Sequence, residues 1–259
     1  MGEWDAVTLA EAVLLLVAGL GAGTVNAIAG GGSLLTFPAM LAIGMPPVAA
    51  NVSNALAVAP GYGASVLGSR ADLIGQGRRI LRVIPTALLG ALGGCLLLLN
   101  TPRRVFDLVV PFLVIGAALT LAGQTRLRAL VGHPQQVSPR RATIMLHTAV
   151  FLCALYGGYF NAALGVLLVA GLALVLDETL ARVSALKNLL SALIGVVTIA
   201  VYSIFGPVNW AAVAVIAPAT IVGGYLGARV ARRLPAAALR AVIVAFGLTV
   251  GTVLLVRAL

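Results

Sequence analysis

The sequence predicts an all-α polytopic membrane protein of two inverted repeats, each a broken or re-entrant helical hairpin followed by three transmembrane helices. Three observations carry that prediction. The 259 residues are 61% hydrophobic and 9% charged, with a mean hydropathy of +1.10. The apolar residues gather into eight runs, and long runs recur at matching places in the two halves. No soluble globular domain needs that much apolar surface. At about 20 residues per span, the length leaves no room for a sizeable aqueous domain, which excludes a soluble enzyme and a nucleic-acid-binding module.

The runs cover about 7–45, 48–68, 80–99, 105–122, 142–176, 183–205, 209–228 and 236–256. Run 7–45 is too long for one helix and is interrupted from Asn26 to Ser33, through Gly30, Gly31 and Gly32. Run 142–176 is interrupted from Tyr156 to Asn161, with Gly165 beyond. Glycine clusters end helices and allow tight turns, so each long run reads as a hairpin of two helices or half-helices. The three medium runs that follow each hairpin read as one helix apiece. Ahead of the first run stand Glu3 and Asp5 where a signal peptide would carry basic residues, so this segment is expected to stay on the protein. Cys95 and Cys153 lie inside apolar runs without metal-ligand spacing, as buried free thiols. No cofactor or metal is expected.

The two halves match at a nearly constant offset. Asn26 and Gly30 pair with Asn161 and Gly165, Asn54 with Asn188, Pro85, Gly90 and Gly94 with Pro218, Gly223 and Gly227, and Pro102 with Pro235. The chain thus divides into a first repeat, 1–123, a basic cytoplasmic linker, 124–141, and a second repeat, 142–259.

The net charge is +10 and the pI near 11. The basic residues sit singly or in pairs between apolar runs, so they read as topology signals and not as a nucleic-acid surface. If each long run crossed the membrane once, they would divide nine to eight and carry no orientation. If each long run enters and leaves on one side, the repeats are inverted and fourteen of the seventeen face one side. That side holds Arg70, Arg78, Arg79 and Arg82 in a loop at 69–82, whose counterpart near Gly206 and Pro207 has none. The positive-inside rule makes it cytoplasmic and places both termini outside, in a cell (inner) membrane. Inverted repeats with broken segments are the architecture of secondary transporters, with substrate bound where the breaks meet. The competing reading of the same glycines is close helix packing alone.

The residues Gly23-Thr-Val-Asn26-Ala-Ile-Ala-Gly-Gly-Gly-Ser33, with Pro38 after them and then Ala50-Asn51-Val-Ser53-Asn54, resemble the sulfite exporter TauE/SafE family of membrane permeases. The resemblance runs from about residue 10 to 256 and takes in the Asn161 motif and the segment from Pro218 to Gly227. It implies export or uptake of small sulfur-containing or organic anions, such as sulfite, sulfoacetate and related sulfonates. Substrates differ among members. The second motif departs from the first in being less glycine-rich, with Ala162-Ala163-Leu164 where the first half has Ala27-Ile28-Ala29.

An oxyanion inside a membrane needs hydrogen-bond donors, and backbone N–H groups at a half-helix N-terminus supply them with a favourable dipole. Gly30, Gly31, Gly32 and Ser33 precede such a half-helix, where Ser33 either caps the helix or donates to an oxygen. Asn26 and Asn161 sit on the helices entering the hairpins and either brace unwound backbone or donate to substrate. After the hairpins, Asn51, Ser53 and Asn54 in one half, and Ser184, Lys187, Asn188 and Ser191 in the other, each form a polar stripe on one helical face. Such stripes line a pathway or pack helices together. Lys187, the only lysine, is an intramembrane cation suited to an anionic substrate, unless it snorkels to the cytoplasmic surface near Arg182.

The seven acidic residues all lie at or near segment ends, and His147 is the one histidine within an apolar run. The expected function is therefore a secondary transporter for a small anion, working by alternating access, in contact with a lipid bilayer and no nucleic acid. A homo-oligomer is compatible with it. The competing classes are a membrane-embedded enzyme, which would need a convergent catalytic set that two histidines do not make, and a non-transporting scaffold.

Overall fold

The computed structural model describes residues 7–28, 30–123, 126, 138–230 and 236–258. The described residues form ten α-helices and one 3-10 turn, with no strand among them. The first half holds α1 (Leu9–Ile28), α2 (Ser33–Ala42), α3 (Pro47–Gly68), the 3-10 turn (Arg70–Leu73), α4 (Gly77–Asn100) and α5 (Arg103–Ala122). The second half holds α6 (Pro139–Tyr159), α7 (Leu164–Ala173), α8 (Leu180–Phe205), α9 (Trp210–Val230) and α10 (Ala236–Ala258). Most of the 124–141 linker lies outside the described residues.

Both long runs are broken as expected. Chain reversal after α1 uses backbone that side chains rarely adopt, with φ of +74° at Gly30 and +132° at Gly31. The break after α6 places two non-glycine residues in the left-handed region, Asn161 at +62° and Ala163 at +55°. The half-helices that follow, α2 and α7, have 10 residues each. That is about 15 Å of helix, half the hydrocarbon thickness.

Six helices among the described residues, α1, α4, α5, α6, α8 and α9, are long and apolar enough to cross a membrane. α3 has 22 residues and falls short in apolarity, because Asn51, Ser53 and Asn54 lie on it. It is enclosed by α1, α2, α5, α8 and α9, and fourteen of its residues are buried, so protein and not lipid surrounds it. Elsewhere the outer surface is apolar, with Leu89, Leu92, Leu96 and Leu97 exposed along α4.

Helix partners are exchanged between the halves. α1 packs on α9 and α4 on α6; α3 packs on α9 and α4 on α8; α3 meets α8, and α5 meets α10. The first two contacts depend on missing side chains. A Cβ on Gly94 would lie 2.0 Å from the Leu155 carbonyl oxygen, and one on Gly158 2.2 Å from that of Ala91. At the α1–α9 crossing, a Cβ on Gly23 would lie 2.3 Å from the Thr220 oxygen, and one on Gly223 2.2 Å from the Leu20 oxygen. Backbones at this distance gain dispersion contacts without a hydrophobic driving force, which lipid does not supply.

Arg78, Arg79 and Arg82 occupy the first two turns of α4 and not a loop, because the helix starts at Gly77. Cys95 is buried, whereas Cys153 is half-buried, and neither forms a disulfide.

Gly94→Ala is expected to separate α4 from α6 and cost about 1–3 kcal/mol, the usual penalty of overpacking. Gly116→Ala, at an α5 position with nothing within 4 Å of the added Cβ, is expected to leave the melting temperature of the detergent-purified protein unchanged.

Candidate functional site

The two breaks meet. A Cβ on Gly30 would lie 2.6 Å from the Gly165 Cα, and one on Gly165 2.7 Å from the Gly30 Cα, so the backbones touch here with no side chain between them. The interior also carries many polar side chains. Asn26, Ser33, Asn51, Asn54, Asn161, Lys187, Asn188 and Ser191 are all buried, and Ser53 is fully enclosed; Ser184 is half-buried.

At the first break, Asn26 lies within the last turn of α1. Its side-chain Oδ1 accepts from the Gly32 N–H at 2.7 Å and the Gly31 N–H at 3.1 Å. Two bonds from N–H groups fix which end of the amide is oxygen, so Nδ2 points the other way, and it is buried without a partner. The Gly30 N–H bonds to the Val25 carbonyl at 2.9 Å. All three glycine N–H groups are thus engaged within the chain in this conformation. Ser33 does not cap α2: Gly32 occupies the cap position, and the buried Ser33 hydroxyl faces the hydroxyl of Tyr62. Asn26 performs the capping from the preceding helix.

Lys187 does not snorkel. It is 2% exposed, and its Nζ donates to the Asn26 backbone carbonyl at 2.9 Å. Its aliphatic stem lies against Gly165. One turn and more before it, Arg182 stays at the surface, where its Nε meets Glu178 at 2.7 Å and its Nη1 donates to the Ile74 carbonyl at 3.0 Å.

The second break is sealed differently. Its exposed groups are carbonyls, and three donors meet them: Asn51 Nδ2 bonds Tyr159 O at 2.8 Å, the Tyr156 hydroxyl bonds Ala162 O at 2.8 Å, and the Tyr202 hydroxyl bonds Gly158 O. Asn161 lies two residues beyond the end of α6, in left-handed backbone, and not on the entering helix. By helix bounds it corresponds to Gly30, not to Asn26, because α1 ends at Ile28 and α6 at Tyr159. The residue match between the halves is therefore out of structural register at the breaks. Asn161 Oδ1 is buried without a partner.

The stripe residues separate into two groups. Asn51 seals the second break, and Ser53 Oγ accepts from the Asn209 N–H at 2.8 Å, joining α3 to the start of α9. Asn54 Oδ1 accepts from the Thr36 hydroxyl on α2, and Asn188 Nδ2 donates to Ser69 Oγ at 3.1 Å. Each leaves one buried amide atom unpartnered, as does the Ser191 hydroxyl. An aromatic cluster holds the two breaks in place: Phe37 of α2 packs edge-on against Phe160 with centroids 5.4 Å apart, and Phe106 stands 6.3 Å from Phe160. Thr36, Tyr156, Phe160 and Tyr202 were not singled out by sequence reasoning. A tyrosine deep in an apolar run, as Tyr202 is, signals a buried hydroxyl in search of an acceptor.

A multi-pass helical bundle whose broken helices meet among buried polar side chains has the architecture of a membrane permease. The family described as Sulfite exporter TauE/SafE matches residues 15–254, and the chain belongs to it. Similar proteins include the probable membrane transporter protein ORF9 of Sinorhizobium sp, 29% identical over 224 residues that cover 84% of this chain and 82% of that protein. YfcA of Escherichia coli K12, also described as a probable membrane transporter protein, is 30% identical over 229 residues, 86% of this chain and 79% of its own. A probable membrane transporter protein of Haemophilus influenzae Rd is 26% identical over 220 residues, covering 83% of each. No solved structure matches the chain.

Asn26→Leu keeps the branched shape and removes the acceptor of two N–H groups; at about 1–3 kcal/mol per unsatisfied buried group, it is expected to lower the melting temperature sharply. At the surface, Glu178 bridges Arg79 at 3.0 Å and Arg182 at 2.7 Å. Partial burial works against its charge, and the hydrogen bonds and charges of the two arginines outweigh it, holding the carboxyl below its ordinary value of 4.5. A lowered folded-state pKa gives stability that is present above about 4.5 and lost as pH falls through the folded value. Melting curves from pH 7 to pH 3 should show this loss, and Glu178→Gln should flatten it.

Proposed function

We propose that this protein is a secondary transporter that carries a small anion, sulfite, sulfoacetate or a related organosulfonate, across the cell (inner) membrane. The buried Lys187 carries this reading. A cation at mid-helix costs roughly 2.5 to 3.5 kcal/mol on insertion scales, and an anion arriving beside it offsets that cost by direct attraction. Lys187 donates to the Asn26 backbone carbonyl, and Asn26 carries a buried Nδ2 without a partner. A cation and an amide donor on these two residues suit the oxygens of a sulfite or sulfonate group.

Alternating access follows if the halves are inverted, each hairpin entering and leaving on one face, with both termini outside. The side-chain-free contact of Gly30 with Gly165 is then the seam where one half turns against the other. The distribution of fourteen basic residues to one face supports that orientation.

The test is thermal stability of the detergent-purified protein against sulfite, sulfoacetate, other sulfonates, sulfate and small carboxylates at matched ionic strength. The substrate at about 100 times its Kd should stabilise by about 2.7 kcal/mol. Lys187→Ala should stay folded, lose that shift and lose flux in liposomes. Unchanged affinity and flux in the variant would remove Lys187 from the site, and a response to carboxylates alone would replace the substrate class. A reporter fused after Leu259 should read outside the cytoplasm, and a cytoplasmic signal overturns the inverted arrangement.

A further inference from the structure

A cavity of about 500 Å³ opens where the first turns of α4 and α6 meet the segment after α7. Both halves build it. Arg78, Arg79 and Arg82 come from α4, His147 from α6, and Leu176 and Asp177 from the segment after α7. Some of this polar lining is committed: Arg79 Nη1 donates to Glu178 at 3.0 Å and to Gln76 Oε1 at 3.1 Å, and His147 Nδ1 pairs with the Thr86 hydroxyl at 2.6 Å. Arg78 and Arg82 are not. They stand one turn apart on one face of α4, and neither takes part in the ion pairs found among the described residues. With Arg79 neutralised by Glu178, Arg78 and Arg82 against the Asp177 carboxylate leave the cavity with a net positive charge.

Next to the lining residues the surface is apolar at once. Leu81 of α4, Ile144 and Met145 of α6 and Leu174 are all exposed. The apolar surface continues along the same two helices through Leu89 and Leu152. A soluble anion would use only the arginines, whereas a phosphate attached to acyl chains uses both features. Paired guanidinium groups suit phosphate oxygens, and basic pockets between membrane helices bind acidic headgroups.

We propose that this cavity holds the phosphate of an acidic phospholipid headgroup, whose acyl chains lie along the outer face of α4 and α6. Because the lining comes from both halves, the bound lipid ties one half to the other beside the Arg79–Glu178–Arg182 clasp. The site is separate from the one around Lys187.

The experiment titrates the purified full-length protein in mixed micelles and follows its melting temperature. Dioleoylphosphatidylglycerol is expected to raise it and dioleoylphosphatidylcholine to leave it unchanged. Inorganic phosphate at the same ionic strength is expected to give a small part of the shift. Arg78→Gln with Arg82→Gln should need about 30-fold more phosphatidylglycerol for the same shift, roughly fivefold per arginine. Arg103→Gln with Arg104→Gln removes the same net charge at the start of α5 and should respond as the unaltered protein does. The proposal is overturned if the Arg78/Arg82 variant responds like the unaltered protein, or if both double variants lose the response equally, which would make it an effect of net charge. It is overturned in its choice of lipid if inorganic phosphate alone reproduces the full shift.

Discussion

A helix that stops inside an apolar bundle leaves N–H and C=O groups with no water to bond, and each such group costs several kcal/mol if nothing else meets it. Two helices stop in this protein, and the interior is organised around meeting that demand. The first break exposes N–H groups, which Asn26 Oδ1 accepts, and a carbonyl, which Lys187 caps. The second exposes carbonyls, which Tyr156, Tyr202 and Asn51 cap. Lys187 belongs to the second half and serves the first break, while Asn51 belongs to the first half and serves the second. Each half completes the other's break, so neither hairpin is a self-sufficient unit.

This arrangement couples structure to function. Asn26, which braces the first break, carries an unpartnered Nδ2, and buried atoms without partners also stand at Asn54 Nδ2, Asn161 Oδ1 and Asn188 Oδ1. Buried polar groups left without partners are uncommon and call for an explanation, and a transported ligand that supplies the missing bonds is one. The α1–α9 and α4–α6 crossings and the central contact of Gly30 with Gly165 are all close backbone approaches that only missing side chains allow.

The clasp of Glu178 with Arg79 and Arg182, and the basic cavity beside it, show that the halves are also linked at the surface. Arginines on the first turns of α4 therefore have two uses compatible with one position. They fit the orientation proposed above, with this face cytoplasmic, and they line a concave site between the halves.

Residue types and their spacing were enough to read the class of fold, the two broken runs and the membership of a permease family, because apolar run length and glycine interruptions are local properties of the chain. They also pointed to Lys187 and Asn26. What could not be read locally was depth and direction. Lys187 lies near Arg182 in sequence, and only the packing of α8 against the first break turns it inward. Asn161 matches Asn26 in the sequence repeat, yet the helix ends place it opposite Gly30, because a hairpin tolerates a shift of register that an amino-acid match does not reveal. α3 is too polar by composition to face lipid, and only its enclosure by five other helices explains how it is stable there. The length of the apolar runs determined which segments leave water; the pairing of backbone groups across the two halves, a matter of tertiary contact alone, decided which polar side chains became braces and which were left with atoms to offer a ligand.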